Sequence, residues 1–455
     1  MSMRSGKTGK TSPKEDHYYR LDNSAIFTAA IAGAAGPLVY RLSFELEETI
    51  VLPRLQTAIA HLVSRFPYLF VELRNGVFWH YLEPSANPPR VEAEAYWPVA
   101  PLPYRRGRPL CRITAYGRRV ACEFHHAVTD GTGALAFLRA LIVEYLRLGG
   151  LGIDLPREAY GDIIRPEDPL DPEEEEDAYG RYFNKSTPHP VKTAKAFLLP
   201  GRRRTLEYRE TEGNIPLRQC LDTAKSLKVT LTEFLTSVHI ASLQELYEAL
   251  PPRKRRQARK NIAVQIPVNL RNLYPSRTLR NFFLCVAPSI DLRLGHWSFE
   301  EILRRVHHAF RLGLEEKEML RQIRRNVGGE RNPIGRALLL PLKTLLLRII
   351  NRNIGLKAFS GSISNVGTIS LPEPFSSHVR DFGLILPRGR HYGANISVFS
   401  WKETLTITIG SCVANRDFEK AFFTRLAELG LSVSIRCNEP YLPSAERLQE
   451  SGVSS

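Results

Sequence analysis

The chain has 455 residues, enough for two or three hydrophobic cores, with 43% hydrophobic and 24% charged residues, ordinary globular proportions. Its net charge of +16 favours anionic partners such as phosphate-bearing ligands or a phospholipid surface. Nucleic acid and a transmembrane helix are excluded, because no nucleic-acid-binding motif and no run of about 18 uninterrupted apolar residues occur.

Residues 1–17 are polar and basic with no apolar run behind them, so they read as a disordered tail and not a secretory signal. Residues 37–46 alternate like a strand. Residues 52–65 have helical spacing and end before Phe66-Pro67. Short strands are expected at 69–73, 77–81 and 110–115.

Residues 118–124 also alternate and are β-prone, and 134–148 carry helical apolar spacing that stops at Gly149-Gly150. Between them stands His125-His126-Ala127-Val128-Thr129-Asp130-Gly131. A neutral imidazole at this strand-to-helix junction can take a proton from a hydroxyl, amine or thiol and return it. Its ring must be held in one tautomer. Asp130 does that directly, or it anchors the loop through a cation elsewhere. Gly131 and Gly133 are expected to supply backbone conformations barred to other residues. An isolated histidine pair is more often structural; the attached Asp-Gly favours chemistry.

Residues 151–200 hold six prolines between 156 and 190 and the acidic run Glu173-Glu174-Glu175-Glu176-Asp177. This stretch reads as a crossover with little regular structure, its acidic run a solvated face. It divides an N-terminal half, 18–190, from a C-terminal half, 191–435, with a second tail at 436–455.

In the second half a strand is expected at 205–209, with helices at 217–227 and 232–249, the latter capped by Thr230. Arg253-Lys254-Arg255-Arg256 with Arg259-Lys260 is a basic patch in a turn. Solvation is its simplest role; a CoA phosphate or lipid headgroups are the alternatives. Strands are expected at 261–268 and 282–290, then a long helix at 299–323 whose His307-His308 pair is given no role. Residues 334–352 form a leucine-rich helix with Leu338, Leu342, Leu345, Leu346 and Ile349 on one face. Covering the second core is the expected role of that face; an interfacial helix admitting lipophilic substrates is the alternative. Strands at 360–365, 383–386, 395–401 and 404–409, the last two joined by a Lys402-Glu403 hairpin, precede a closing helix at 417–429. Six scattered cysteines without Cys-x-x-Cys spacing read as buried free thiols in a reducing cytoplasm, and no metal site is expected.

The histidine motif resembles the active-site motif of the CoA-dependent acyltransferase superfamily, which includes chloramphenicol acetyltransferase, plant BAHD acyltransferases, condensation domains of peptide synthetases and alcohol acetyltransferases. Other stretches agree with it. Tyr19-Arg20-Leu21-Asp22-Asn23-Ser24-Ala25 resembles the opening of bacterial alcohol acetyltransferase-like proteins. Pro267-Val268-Asn269-Leu270-Arg271 with Arg280-Asn281-Phe282-Phe283 resembles the family's Asn-Leu-Arg…Gly-Asn region, and Ser362-Ile363-Ser364-Asn365-Val366-Gly367 its Ser-Asn-x-Gly strand. Asp381-Phe382-Gly383 is similar to a BAHD tripeptide but lacks the Trp-Gly and Pro pattern of those enzymes, and is taken as structural.

The resemblance implies an α+β fold of two chloramphenicol-acetyltransferase-like halves with mixed sheets and a tunnel between them. It implies O-acyl transfer from acyl-CoA, a co-substrate with no bound cofactor, to a small or lipophilic alcohol. His126 is then the general base and Asp130 its structural partner, paired with Arg271; His125 and Gly131 support them. The backbone near Gly131 and Ser364 or Asn365 are candidate oxyanion donors. A condensation-type enzyme fed by an acyl carrier protein, and a catalytically silent binding protein, are the alternatives; the intact motif argues against the last. The expected location is cytoplasmic, with peripheral membrane contact as an option.

Overall fold

Strands with apolar residues on alternate positions must cover that face, and two sheets with their helices do this here. The structure is a computed structural model and describes residues 18–438 except 33–35, 95–97, 153, 189–193, 202–207 and 389–393. The first sheet runs in the order Val379–Ile385, Val39–Leu46, Arg119–His125, Cys111–Tyr116, Val91–Ala93. Helices Leu52–Val63 and Gly131–Arg147 bury Leu55, Ile59, Leu62, Phe137, Leu138 and Leu141 in its core. A smaller sheet joins Tyr19–Arg20, His80–Pro84 and Val71–Asn75.

The second sheet runs Phe283–Val286, Asn261–Asn269, Gly361–Ile369, Asn395–Trp401, Thr404–Ser411, Arg209–Pro216, Ser434–Cys437, with Ser289–Asp291 also paired to Asn261–Asn269. Gly361–Ile369 is parallel to both its neighbours while the other pairs are antiparallel, so the sheet is mixed. Helices Leu231–Glu248, Phe299–Gly313 and Asp417–Glu428 pack on its core. Thr230 caps the first of these through a reciprocal capping box with Glu233. The expected α+β architecture of two halves with mixed sheets is therefore present.

The halves are not separate stretches of chain. Val379–Ile385 leaves the second half and adds an antiparallel edge to the first sheet beside Val39–Leu46. There Phe382 packs edge-on against Phe44 and Phe399, and Gly383 makes the close approach to Ser43, so Asp381-Phe382-Gly383 is a structural stretch.

Several local expectations need correction. The helix at 299–323 is two, Phe299–Gly313 and Glu316–Glu330, because the chain turns at Glu315 to lay Met319, Ile323 and Val327 over a small separate core. Residues 282–290 form two strands interrupted at Ala287-Pro288. The basic patch begins in a short helix, Pro252–Gln257, and not in a turn. Most of the strand expected at 205–209 falls outside the described residues; the observed strand starts at Arg209. The tails 1–17 and 439–455 also lie outside them, and Ser434–Cys437 pairs with Arg209–Pro216. Cys437 is exposed on that strand, whereas Cys111, Cys122, Cys220 and Cys412 are buried.

Two corrections reverse the expected burial. Glu174 of the acidic run is buried, accepting two guanidinium bonds from Arg65 and one from the Tyr68 hydroxyl, all at 2.7 Å. It ties the crossover to the first half, since a carboxylate this enclosed needs such donors. The helix Leu340–Ile350 is turned the other way from its apolar pattern. Leu340 and Lys343 face inward, while Leu342, Leu345, Leu346 and Ile349 are exposed.

His239 is fully buried against Phe418 and Phe422, and neither ring nitrogen is hydrogen-bonded among the described residues. Burial pushes this imidazole down to about 3. Its unfolded value is about 6.5, so the stability it contributes is complete above that pH and is lost as pH falls toward 3. At pH 5 the loss is about 2 kcal/mol. Urea unfolding at pH 7 and pH 5 is expected to show a drop smaller by about that amount in His239→Leu than in the parent chain. An unchanged drop contradicts the assignment.

Candidate active site

The strand Arg119–His125 and the helix Gly131–Arg147 hold the histidine loop from both sides, as the sequence pattern predicts. Asp130 is the helix N-cap, its Oδ1 accepting from the amides of Thr132 at 3.0 Å and Gly133 at 3.3 Å. The same carboxylate receives Arg271: Nη1 donates to Oδ2 at 2.9 Å and Nη2 to Oδ1 at 3.3 Å. The Phe282 amide adds a 2.9 Å bond to Oδ2. Arg271 is in turn fixed by the carbonyls of Thr278 (2.8 Å) and Arg280 (2.5 Å) and by Asn269 Oδ1 (3.1 Å). The cations nearer in sequence are engaged elsewhere or point outward: Arg119 pairs with Glu94, Arg139 with Asp162, and Arg118 is exposed. Asp130 therefore anchors the loop through Arg271 and makes no hydrogen bond to either imidazole among the described residues.

The two histidines are in different states. His125 Nδ1 accepts the Ala127 amide at 3.0 Å, so its Nε2 carries the proton and donates to the Tyr104 hydroxyl at 2.7 Å. Burial, with the neighbouring His126 adding to it, pushes His125 down to about 3, so the ring is neutral and committed.

His126 is partly exposed, between the rings of Tyr40 (5.1 Å) and Phe283 (5.5 Å). Its Nδ1 lies 3.0 Å from Asn281 Oδ1. The Asn281 amide is oriented by its other end, where Nδ2 donates to Asp22 Oδ2 and to the His126 carbonyl, both at 3.0 Å. With the amide oxygen facing Nδ1, that nitrogen carries the hydrogen, and Nε2 keeps a free lone pair. Asp22 is wholly buried. It caps the helix Asn23–Ile31 through Ala25 at 2.8 Å, and Arg280 stands 3.6 Å away. Burial raises its carboxyl above the usual range, opposed by Arg280 and the Ala25 and Asn281 bonds.

Asn281, Asp22 and Tyr40 are the residues that the reading of the motif missed as functional. Asn281 and Asp22 stood inside stretches noted only for resemblance, and their pairing spans 259 residues, beyond any local pattern. The Tyr40 hydroxyl is 2.9 Å from the carbonyls of both Thr129 and Asp130 and closes the loop from the neighbouring strand.

The glycines act otherwise than expected. Neither Gly131 nor Gly133 has a positive φ. Gly131 sits in the helix with room for a Cβ, the nearest atom being Val366 Cγ1 at 3.8 Å. Gly133 is required for close approach, because a Cβ there would lie 1.9 Å from the Leu279 carbonyl oxygen. The Thr129 hydroxyl donates to that same carbonyl at 2.5 Å. Asn365 and Ser364 lie on the strand Gly361–Ile369, whose Val366 passes Gly131. The Asn365 amide donates to Thr232 at 3.0 Å and its oxygen accepts from Gly367, so neither bond reaches the histidine loop. Two surface crevices, one beside His296 and Trp297 and the other beside Leu250 and Phe418, include no residue of the motif. Among the described residues no group of side chains has metal-ligating geometry, and no helix is long and apolar enough to cross a membrane.

This two-lobed arrangement is shared with solved condensation-domain and acyltransferase structures. Polyketide synthase associated protein 5 from Mycobacterium tuberculosis is 13% identical and matches over 91% of this chain and 98% of its own, with a TM-score of 0.60. The trichothecene 15-O-acetyltransferase of Fusarium sporotrichioides is 11% identical over 90% and 94% (TM-score 0.55). The condensation domain of the Monacolin K polyketide synthase is 12% identical over 91% and 96% (TM-score 0.56). These likenesses define the fold class. No family model and no curated protein sequence matches the chain.

The Asp130–Arg271 pair makes a quantitative test. Asp130→Asn and Arg271→Ala are each expected to destabilise the fold by about 3–5 kcal/mol, because each strands a buried partner. The double variant is expected to lose far less than the sum. Additive losses in chemical denaturation contradict the coupling.

Proposed function

We propose that the protein is an acyltransferase that moves an acyl group from an acyl thioester to the hydroxyl of a small or lipophilic alcohol, with His126 as general base. The observation that carries this reading is the Asn281 bond to His126 Nδ1, which leaves Nε2 as the one basic nitrogen of the motif free to accept a proton. The bonds of His125 also favour this reading, since both its nitrogens are occupied.

In the proposed reaction His126 Nε2 takes the hydroxyl proton as the oxygen attacks the thioester carbonyl carbon. The carbonyl electron pair moves onto oxygen, giving a tetrahedral oxyanion. As that pair returns, the carbon–sulfur bond breaks, and His126 gives its proton to the leaving thiolate. Asn281 holds the ring in the required tautomer through both steps, and Asp130 with Arg271 keeps the loop in place. Backbone amides near Gly131 and the side chain of Ser364 or Asn365 are the proposed donors to the oxyanion. The two substrates are proposed to reach His126 from opposite sides of the junction between the halves.

Acyl-CoA is the proposed donor, and the exposed cations Arg253, Lys254, Arg255 and Arg256 are the proposed contacts for its phosphates. An acyl carrier protein is the second reading, favoured by the likeness to a polyketide synthase associated protein and to condensation domains. Thiol release measured with acyl-CoA and with an acylated carrier protein separates the two; release from neither, with a range of alcohols, contradicts the enzyme reading.

His126→Ala is expected to lose roughly 10²–10⁴-fold in kcat with the fold intact, and His125→Ala to act chiefly through stability. Asn281→Leu is expected to lower kcat by about 10²-fold with little change in KM. A loss confined to KM contradicts the positioning role.

A further inference from the structure

The helix Leu340–Ile350 has no place in the catalytic arrangement, and its apolar residues are on the outside. Leu342, Leu345, Leu346 and Ile349 recur at the spacing of one helix face and are 48–56% exposed, with Ile350 beside them at 40%. The inward side is held by polar bonds. Lys343 Nζ donates to the Phe78 carbonyl at 2.8 Å and lies over the Trp79 ring; the Leu340 amide donates to the Val77 carbonyl at 3.0 Å; Arg348 Nε donates to the Ala30 carbonyl at 3.0 Å. Those anchors belong to the hairpin between Val71–Asn75 and His80–Pro84 and to the helix Asn23–Ile31. The hairpin tip continues the surface, with Val77 66% and Phe78 45% exposed. An apolar face this continuous marks an interaction site.

Charge selects the partner. From Arg331 to Pro372 the sequence has six Lys and Arg residues and no Asp or Glu. Arg336, Arg348 and Arg352 are exposed along the helix. The acids bordering the hairpin, Glu72 and Glu83, share one cation, Arg74, so a single negative charge stays beside the patch against the arginines of the helix. A surface helix with aliphatic residues outward and arginines at its flanks is a ridge. That shape enters a headgroup layer, its side chains taking the acyl boundary and its guanidinium groups the phosphates.

We propose that the Leu340–Ile350 ridge, with the Val77-Phe78 tip, docks the protein on the surface of a bilayer containing anionic lipid. The proposal does not depend on the reaction assigned above. Docking would nevertheless lie close to the chemistry. The helix Asn23–Ile31, which carries the ridge, is capped by Asp22, and Asp22 orients the Asn281 amide that holds His126.

The test is sedimentation of the full chain with vesicles of phosphatidylcholine plus phosphatidylglycerol, and with phosphatidylcholine alone. The full chain is expected to bind the anionic vesicles, to release as salt rises, and to bind the neutral ones weakly. Leu345→Glu with Leu346→Glu is expected to cut binding by roughly tenfold or more, while circular dichroism and thiol release with a soluble alcohol stay unchanged. Arg336→Gln with Arg352→Gln is expected to weaken anionic binding and flatten its salt dependence. No binding at low salt, or equal binding by the Leu345→Glu, Leu346→Glu variant, overturns the proposal. So does a lipid-free dimer that this variant converts to monomer, because the ridge would then be covered by a second copy. Capture of an acidic carrier protein by the ridge without lipid binding overturns it as well.

Discussion

Everything at the candidate site depends on one buried carboxylate with five donors. Asp130 starts the helix after the histidines, and the same two oxygens accept Arg271 and the Phe282 amide from the other half of the chain. A buried charge is tolerable only when its lone pairs are filled. Helix initiation, loop conformation and the seating of residues 271–282 are thereby one requirement. Gly133 is a consequence of it, because the first turn of the helix must press against the Leu279 carbonyl to bring Asp130 to Arg271.

That seating decides what the two histidines can do. Once residues 271–282 are in place, Asn281 reaches His126 and fixes its ring, while His125 is closed off on the strand side by Ala127 and Tyr104. Adjacent residues of one type thus receive opposite assignments from their surroundings, one neutral and saturated, the other with a free lone pair at the junction of the halves. The exchange of Val379–Ile385 into the first sheet and the Leu279 amide's 2.8 Å bond to the Glu174 carbonyl hold that junction from two further directions.

Much of this was legible in the sequence because it is local. Alternation at 118–124 and apolar spacing at 134–148 placed the motif between Arg119–His125 and Gly131–Arg147. Arg271 was reachable only through resemblance, since Asp130 lies 141 residues from it. The Asn281 contact was not legible, because periodicity says nothing about which amide ends beside an imidazole. Glu174 and the Leu340–Ile350 helix failed for a shared reason. Composition rules place charge in water and apolar faces in the core, and here tertiary contacts with Arg65 and with Phe78 and Trp79 reverse both. The split of the 299–323 helix failed because the turn at Glu315 is set by a third small core that no single stretch reveals.

The central claim is that the second half of the chain sets the proton position on a histidine of the first. Nitrogen-15 NMR of the imidazole-labelled protein near neutral pH, with His126 assigned by comparison with His126→Ala, reads that position directly. The account predicts that the uncharged imidazole of His126 carries its hydrogen on Nδ1 and none on Nε2, changing to a mixture of tautomers in Asn281→Leu. Hydrogen on Nε2 in the parent chain, or a tautomer indifferent to Asn281, would contradict it.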